Sequence, residues 1–122
     1  MHKNLTPREL ALDLLDRSIC KIQVAAVLSD NHGIFSWGWN NPPNGPNQIK
    51  GVHAETHCIR RANPKRLKNA TLTVAARRRK SGSIILSRPC EKCMPIIKKY
   101  QIKRVEYTTK DSNLWETILF EY

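Results

Sequence analysis

The sequence lacks the features that would direct it to a membrane or out of the cell. No apolar run approaches the roughly 18 residues that a membrane-spanning helix needs. Residues 1–5 have no apolar core of the kind found in secretory signal peptides. The chain has only four cysteines in 122 residues, which suits a reducing compartment better than a disulfide framework. We therefore expect a cytoplasmic protein.

Acidic residues are also scarce. Lys and Arg number 21 against 10 Asp and Glu, so the formal net charge is +11. Such a balance favours polyanions or phosphate-bearing small molecules as partners. With no internal repeat or low-complexity segment, the length predicts a single domain over residues 1–122. The basic residues recur along the chain: Arg60, Arg61, Lys65, Arg66, Lys68, 77–80, Arg88, Lys98, Lys99, Lys103 and Arg104.

Two short segments far apart in the sequence carry candidate chemistry. Residues 53–55 read H-x-E, and residues 89–93 read P-C-x-x-C. His53, Cys90 and Cys93 are ligands of the kind that Zn²⁺ prefers, and three protein ligands leave its fourth tetrahedral position open. An open position is typical of a catalytic zinc, which lowers the pKa of a water there to about 7. Glu55 is placed to carry protons without binding the metal.

Each half of this pattern also has a simpler structural interpretation. A lone C-x-x-C is common in redox pairs and in structural zinc sites. His53 could merely begin a helix, and Cys90 and Cys93 could be buried as small apolar residues. Cys20 and Cys58 lie within apolar patterns, and we interpret both as core residues.

Hydrophobic periodicity predicts seven elements along the chain. Thr6 suits an N-cap, Pro7 the first helical position and Glu9 a capping box, so a helix is expected to run to about residue 18. Two apolar stretches at 21–29 and 34–39 flank a turn sequence and predict a β-hairpin with His32 exposed at its tip. The remaining elements are helices at 52–63 and 89–101 and strands at 71–76 and 102–108.

The order α-β-β-α-β-α-β predicts an α/β fold with helices on the faces of a mixed sheet. The helix between the last two strands makes that pair parallel, because parallel neighbours need a crossover connection. The basic run 77–80 is expected at a strand end or hairpin rim, as either a solvated charge run or a polyanion contact. The tail 111–122 is compatible with either a short helix or a last strand that covers a sheet edge.

Segment 40–48 holds four Asn and three Pro, which predicts a loop beside the metal site. Asn40 is a candidate for contacting a base or a sugar, because an amide offers both a donor and an acceptor. It could equally begin the turn that precedes Pro42. Trp37, Trp39 and Trp115 are candidates for stacking on bases, although each could instead be a core residue.

These elements and motifs together resemble the cytidine deaminase-like superfamily over nearly the whole chain. The paired H-x-E and P-C-x-x-C motifs are the signature of zinc nucleobase deaminases. The sequence Gly-Trp-Asn at 38–40 followed by both motifs is similar to the branch that holds dCMP deaminases, tRNA adenosine deaminases and polynucleotide cytidine deaminases. The resemblance implies a three-layer α-β-α fold with a mixed central sheet, and an oligomer of at least two copies.

The resemblance also implies roles for individual residues. Zinc would be held by His53, Cys90 and Cys93, and Glu55 would be the proton shuttle. Asn40 corresponds to an asparagine that contacts the substrate nucleoside. Besides Asn40, our own candidates for substrate contacts are Ala54, Trp39 and Arg88, which lie within or beside these motifs.

The implied reaction is hydrolytic deamination of cytosine to uracil. Ser-Arg-Pro-Cys at 87–90 stands where tRNA adenosine deaminases usually have Glu-Pro-Cys, and stretch 77–86 is longer than theirs. These departures favour cytosine over adenine. The positive charge favours cytosine in single-stranded nucleic acid, DNA first, over free cytidine or dCMP. Lesser alternatives are a tRNA adenosine deaminase and a non-catalytic nucleic-acid-binding module with a structural zinc, which would need a fourth protein ligand.

Overall fold

The computed structural model describes residues 5–41, 53–111 and 113–122. Within these ranges the chain forms three α-helices and five β-strands, with short 3₁₀ segments after the first two helices. None of these helices is long and apolar enough to cross a membrane. In chain order the elements are α1 (Pro7–Asp13), β1 (Ile22–Asp30), β2 (Gly33–Trp39), α2 (Ala54–Arg61), β3 (Thr71–Arg78), α3 (Met94–Lys99), β4 (Arg104–Thr108) and β5 (Trp115–Leu119).

The five strands form one mixed sheet in the order β2-β1-β3-β4-β5. β1 pairs antiparallel with both β2 and β3, while β3 and β4 are parallel. The parallel pair predicted for the strands that flank the last helix is therefore confirmed. The tail forms β5, which pairs antiparallel with β4 at the sheet edge. Of the two structures considered for this segment, the strand is correct.

The first helix begins as its sequence predicts. Thr6 Oγ1 accepts a hydrogen bond from the backbone N–H of Glu9, and a Glu9 carboxylate oxygen accepts one from the N–H of Thr6. This capping box satisfies two N–H groups that a helix start leaves without partners. A 3₁₀ segment, Leu14–Arg17, then continues the helix to the expected end.

Apolar side chains cover both faces of the sheet. On one face, Ala25 and Val27 of β1 pack with α1. On the other, Ala26 and Leu28 pack with α2, α3 and the central strands. Because successive strand residues point to opposite faces, a strand buried on both sides reads as a continuous apolar run. The fold is therefore the expected three-layer α-β-α arrangement around a mixed sheet.

β2 approaches α2 unusually closely. Gly38 faces the helix, and a Cβ on it would lie 2.7 Å from the Cys58 backbone nitrogen and 3.1 Å from the Ala54 carbonyl oxygen. The buried Ser36 hydroxyl donates to the Cys58 carbonyl at 2.6 Å. Only a residue without a side chain fits at position 38. This contact sets the position of the α2 N-terminus, where His53 lies.

Gly38→Ala should therefore destabilise the fold and disturb the metal site. We expect a loss of about 1–3 kcal/mol in the free energy of unfolding, because the added methyl meets helix backbone that cannot rotate away. Zinc affinity should fall as well, since the displaced Ala54 directly follows His53. Urea unfolding and a competitive zinc titration measure the two effects.

Gly82→Ala is the matched control for this substitution. A Cβ at Gly82 meets no atom within 4 Å, although its φ of +75° strains any L-residue. It should cost some stability through backbone strain and leave zinc affinity unchanged. If Gly38→Ala bound zinc as tightly as the unmodified chain, the Gly38 contact would have no part in positioning His53.

The third helix begins later than its sequence predicts. Residues 91–93 form a turn and α3 starts at Met94, so the prediction that Cys90 and Cys93 share the first turn of a helix is wrong. The backbone N–H groups of Cys93 and Met94 both donate to the Cys90 carbonyl, at 3.0 and 3.1 Å. Pro95 lacks the N–H that would bond to the Glu91 carbonyl, which keeps the helical ladder from extending further back.

The basic run 77–80 lies at a strand end, as predicted. β3 ends at Arg78, and the following turn returns the chain so that Ile84 forms a β-bridge with Arg77. The Arg78 N–H donates to the Ser83 carbonyl at 2.9 Å. This return directs the chain towards the second metal-binding motif. The expected exposure of His32 at the hairpin tip is also confirmed.

Candidate active site

Three potential metal ligands converge at the ends of the two sequence motifs. Ligand atoms of His53, Cys90 and Cys93 all lie within 4.8 Å of one another. The two sulfurs are 3.8 Å apart, and His53 Nδ1 is 3.7 Å from the Cys90 sulfur and 3.5 Å from the Cys93 sulfur.

These separations fit a tetrahedral zinc. With Zn–S bonds of about 2.3 Å and Zn–N bonds of about 2.0–2.1 Å, tetrahedral angles place two sulfur ligands about 3.8 Å apart and a sulfur and a nitrogen about 3.5–3.6 Å apart. The observed triangle matches both values. Within the described ranges no other Cys, His, Asp or Glu joins the group, so the donor set is that of a three-ligand site.

Local structure fixes each side of the triangle. His53 is the N-cap of α2, in extended conformation, and its carbonyl accepts from the His57 N–H at 2.9 Å. On the other side, Ser87 holds the segment that leads to Cys90 against the sheet. Its buried hydroxyl donates to the Val74 carbonyl at 2.7 Å and accepts from the Thr108 N–H at 2.8 Å. The strand ends thus determine where the cysteine motif begins.

Glu55 lies beside the triangle but outside the ligand group. It belongs to the first turn of α2, and only 6% of its surface is exposed. Burial raises the pKa of the Glu55 carboxyl above its usual range, against the opposing effects of its own backbone N–H, the His53 ring and the Cys93 thiol. A raised pKa makes this carboxyl a better proton acceptor than an exposed one, which suits a general acid–base.

The thiols differ in chemical environment. Burial, together with the nearby Glu55 and Cys90, raises the pKa of the Cys93 thiol, while a bound zinc ion would deprotonate this group outright. Burial also raises the pKa of Cys58, to about 12, and this residue is fully enclosed in the core. The core interpretation of Cys58 is confirmed. For Cys20 it is wrong, because this residue is half-buried and lines a cavity.

A cavity of about 570 Å³ opens onto the metal triangle. A volume of this size suits a small ligand. The residues that line it are Cys20, Lys21, Ile22, Val24, Asn40, Asn41, His53, Ala54, Glu55, Ala76, Leu86, Ser87, Arg88 and Cys90. The structure thus brings both motifs, Glu55, Asn40, Ala54 and Arg88 to one cavity.

Asn40 also organises the cavity wall. Its side-chain oxygen accepts from the Ser18 hydroxyl at 2.6 Å and from the Val24 N–H at 2.9 Å, and its amide nitrogen donates to the Ile22 carbonyl at 2.8 Å. An amide side chain has two acceptor and two donor positions. Among the described residues these bonds leave one amide N–H without a partner. The rest of the predicted loop, from residue 42 to residue 48, lies outside the described residues.

Trp39 is not among the described residues that line the cavity. Its ring instead packs edge-on against His57, with ring centres 5.2 Å apart. Sequence reasoning missed His57, as well as Lys21, Ile22 and Leu86 on the cavity wall. No local pattern identifies these residues, since each reaches the site through pairing or packing with a distant segment.

Comparisons with known proteins agree with this geometry. Residues 2–109 match the family model described as the cytidine and deoxycytidylate deaminase zinc-binding region. None of the curated proteins compared with the chain matches it.

Solved structures share the fold. A cytidine deaminase from Burkholderia pseudomallei superposes with a TM-score of 0.70 at 16% identity, covering 93% of this chain and 89% of the other. A dCMP deaminase from the cyanophage S-TIM5 gives 0.59 at 19% identity, with 84% and 82% covered. A cytidine deaminase from Mycobacterium leprae gives 0.60 at 14% identity, with 90% and 88% covered. At these identities the likeness establishes the fold.

Proposed function

Because the chain belongs to the zinc-binding cytidine and deoxycytidylate deaminase family, we propose that it hydrolyses cytosine to uracil with release of ammonia. Members of this family are zinc-dependent hydrolases. The observation that carries the proposal is that His53 and Cys90 of the metal triangle line one cavity together with the buried Glu55 and the amide of Asn40.

His53, Cys90 and Cys93 would hold the zinc, one ligand fewer than its tetrahedral coordination takes. When bound, the metal supplies a Lewis acid that lowers the pKa of water to about 7. The non-catalytic alternative needs a fourth protein ligand, and the described part of the chain offers none.

We assign proton transfer to Glu55. Water adds to the ring carbon that carries the amine, and ammonia leaves, so protons must move from the water to the ring nitrogen and the departing amine. Glu55 accepts the first proton and delivers protons to both nitrogens. Its burial supports this role, because desolvation disfavours the charged carboxylate and so raises the pKa of the Glu55 carboxyl.

Cations at the cavity opening support a phosphate-bearing substrate. Lys21 and Arg88 both line the cavity and are exposed, so each can meet an anionic group outside it. The Asn40 N–H that has no partner among the described residues is available to the sugar or the base, and Ala54 forms part of the wall. We therefore propose a cytidine unit that carries phosphate.

Two such substrates remain candidates. The solved relative named dCMP deaminase favours a free cytidine nucleotide. The net charge of +11 exceeds what one phosphate requires and favours single-stranded nucleic acid, with DNA first. We also propose that the chain forms a homo-oligomer. A cytoplasmic location is proposed as well, because a reducing compartment suits its unpaired cysteines.

A substrate panel tests this function. The zinc-loaded chain is incubated with cytidine, dCMP, cytosine-containing oligonucleotides and adenosine-containing RNA, and the products are identified by mass. We expect uracil products from at least one phosphate-bearing cytosine compound and none from adenosine. Conversion of adenosine alone would overturn the choice of base, and conversion of cytidine alone would overturn the role given to phosphate.

A further inference from the structure

An alternating row of arginines and tryptophans lies along the β2 edge of the sheet. Trp37 and Trp39 are two residues apart on this edge strand, so their side chains leave it on the same side. The Arg61 guanidinium lies over both rings, 5.5 Å from the centre of Trp37 and 5.9 Å from that of Trp39. Arg17 lies 5.7 Å from Trp39. We call these four residues the Arg–Trp row.

The row is fixed next to the zinc-site cavity. Trp39 immediately precedes Asn40, which lines that cavity. His57 Nδ1 lies 3.2 Å from the Trp39 backbone nitrogen and 3.0 Å from its carbonyl oxygen. His57 is one helical turn beyond His53 on α2. The row therefore continues the active site along the sheet edge rather than forming a separate surface.

The row is accessible, and among the described residues its two guanidinium groups have no acidic partner. Trp37 is 39% exposed, and Arg17 and Arg61 are exposed. In the part of the chain that the structure describes, no carboxylate forms an ion pair with either arginine. A packing role alone would not require two unpaired guanidinium groups around aromatic rings.

A similar Arg–Trp pair lies at the opposite sheet edge, but there the charge of the arginine is neutralised. Arg8 lies 5.0 Å from the ring centre of Trp115 on β5, yet it also forms a salt bridge with Glu106 at 3.1 Å. Its charge is thus balanced within the fold. The Arg8–Trp115 pair therefore provides a control with the same residue types.

We propose that the Arg–Trp row binds single-stranded nucleic acid and presents a cytosine to the cavity; the second clause rests on the proposed function. Exposed aromatic faces stack bases of any sequence, and neighbouring cations contact the phosphates between them. The high positive charge of the chain favours such a polyanion over a protein partner. Bases stack on the open face of Trp37, and Arg17 and Arg61 contact the backbone.

Binding is measured separately from catalysis. Fluorescein-labelled oligothymidylate and oligouridylate are titrated with the zinc-loaded chain and followed by fluorescence anisotropy, because neither polymer contains a base that can be deaminated. Trp37→Ala should weaken binding by about tenfold, the loss typical of one base stack. Arg61→Gln should weaken binding and lower the slope of log affinity against log salt by about 0.7, the value of one phosphate contact to a single strand.

Arg8→Ala is the control, and it should leave both affinity and salt slope unchanged. Thermal unfolding checks that each variant is folded; if Trp37→Ala is not, Arg61→Gln decides alone. The two probes separate DNA from RNA as the polymer. The inference is overturned if neither probe binds, if Arg61→Gln binds as tightly as the unmodified chain, or if the variants dissociate an oligomer without affecting either probe.

The outcomes also separate this inference from the proposed function. If the chain deaminates dCMP but binds neither probe, the proposed function stands and the binding role of the Arg–Trp row is wrong. If the chain binds the probes through the row but deaminates no cytosine compound, the row is a binding surface and the proposed function is wrong.

Discussion

Glu55→Ala is expected to retain zinc and lose deaminase turnover. Glu55 lies outside the ligand triangle, so its removal leaves the three donors in place. A positioned general acid–base contributes about 10²- to 10⁴-fold to rate, and we expect kcat to fall by at least this range because Glu55 serves several proton transfers. Metal analysis of the purified variant, with kcat on the best substrate of the panel, measures both effects.

Glu55→Gln and Glu91→Ala complete this experiment. Glutamine keeps the shape of the side chain but cannot carry the proton, so it should be as inactive as alanine. Its melting temperature should not fall, because a carboxyl whose pKa is raised by burial is held at a cost to stability. Glu91 is an exposed carboxylate next to Cys90, and Glu91→Ala should remain active. Activity in Glu55→Gln near that of the unmodified chain would remove Glu55 from the proposed chemistry.

Cys90→Ser is expected to abolish both zinc binding and activity. Cys90 is exposed, so the substitution tests the metal ligand without opening a cavity in the core. Changes to residues that merely support zinc ligands lower metal affinity about 10- to 100-fold, and removal of a soft thiolate should exceed this range. A competitive titration with a chromophoric chelator gives the affinity.

Cys20→Ser provides the matched control. Cys20 lines the same cavity but lies outside the ligand group, and its replacement should leave zinc affinity unchanged. Zinc added at concentrations that saturate the unmodified chain should not restore the activity of Cys90→Ser. Equal zinc affinity in Cys90→Ser and Cys20→Ser would show that the triangle of donor atoms is not the metal site.

Much of the fold follows from local sequence signals. The capping box at Thr6, the hairpin and the parallel strand pair each depend on short-range turn chemistry or on the lengths of connections. The metal triangle follows from residue types and spacing, since few side chains bind zinc. The capping box and the hairpin were predictable because neighbouring residues determine them, and the metal triangle because each of its two halves is a short motif.

The remaining features depend on contacts between distant segments. The start of α3 is set by the turn at Cys90 and by Pro95, which helical periodicity alone does not reveal. The hydrogen bonds that hold the Asn40 side chain in the cavity wall come from Ser18 and from β1. The Arg–Trp row needs Arg61 of one helix to reach two rings on a strand. No sequence pattern within the helix or the strand indicates this contact.

The most direct test of the account is the fate of cytosine in water enriched with heavy oxygen. The zinc-loaded chain is incubated with the cytosine compounds of the panel, and the ammonia released and the mass of the uracil product are measured together. We expect equal amounts of ammonia and uracil, with one heavy oxygen in each uracil, and neither product from Glu55→Gln. A zinc-loaded, folded chain that releases no ammonia from any cytosine compound would contradict it.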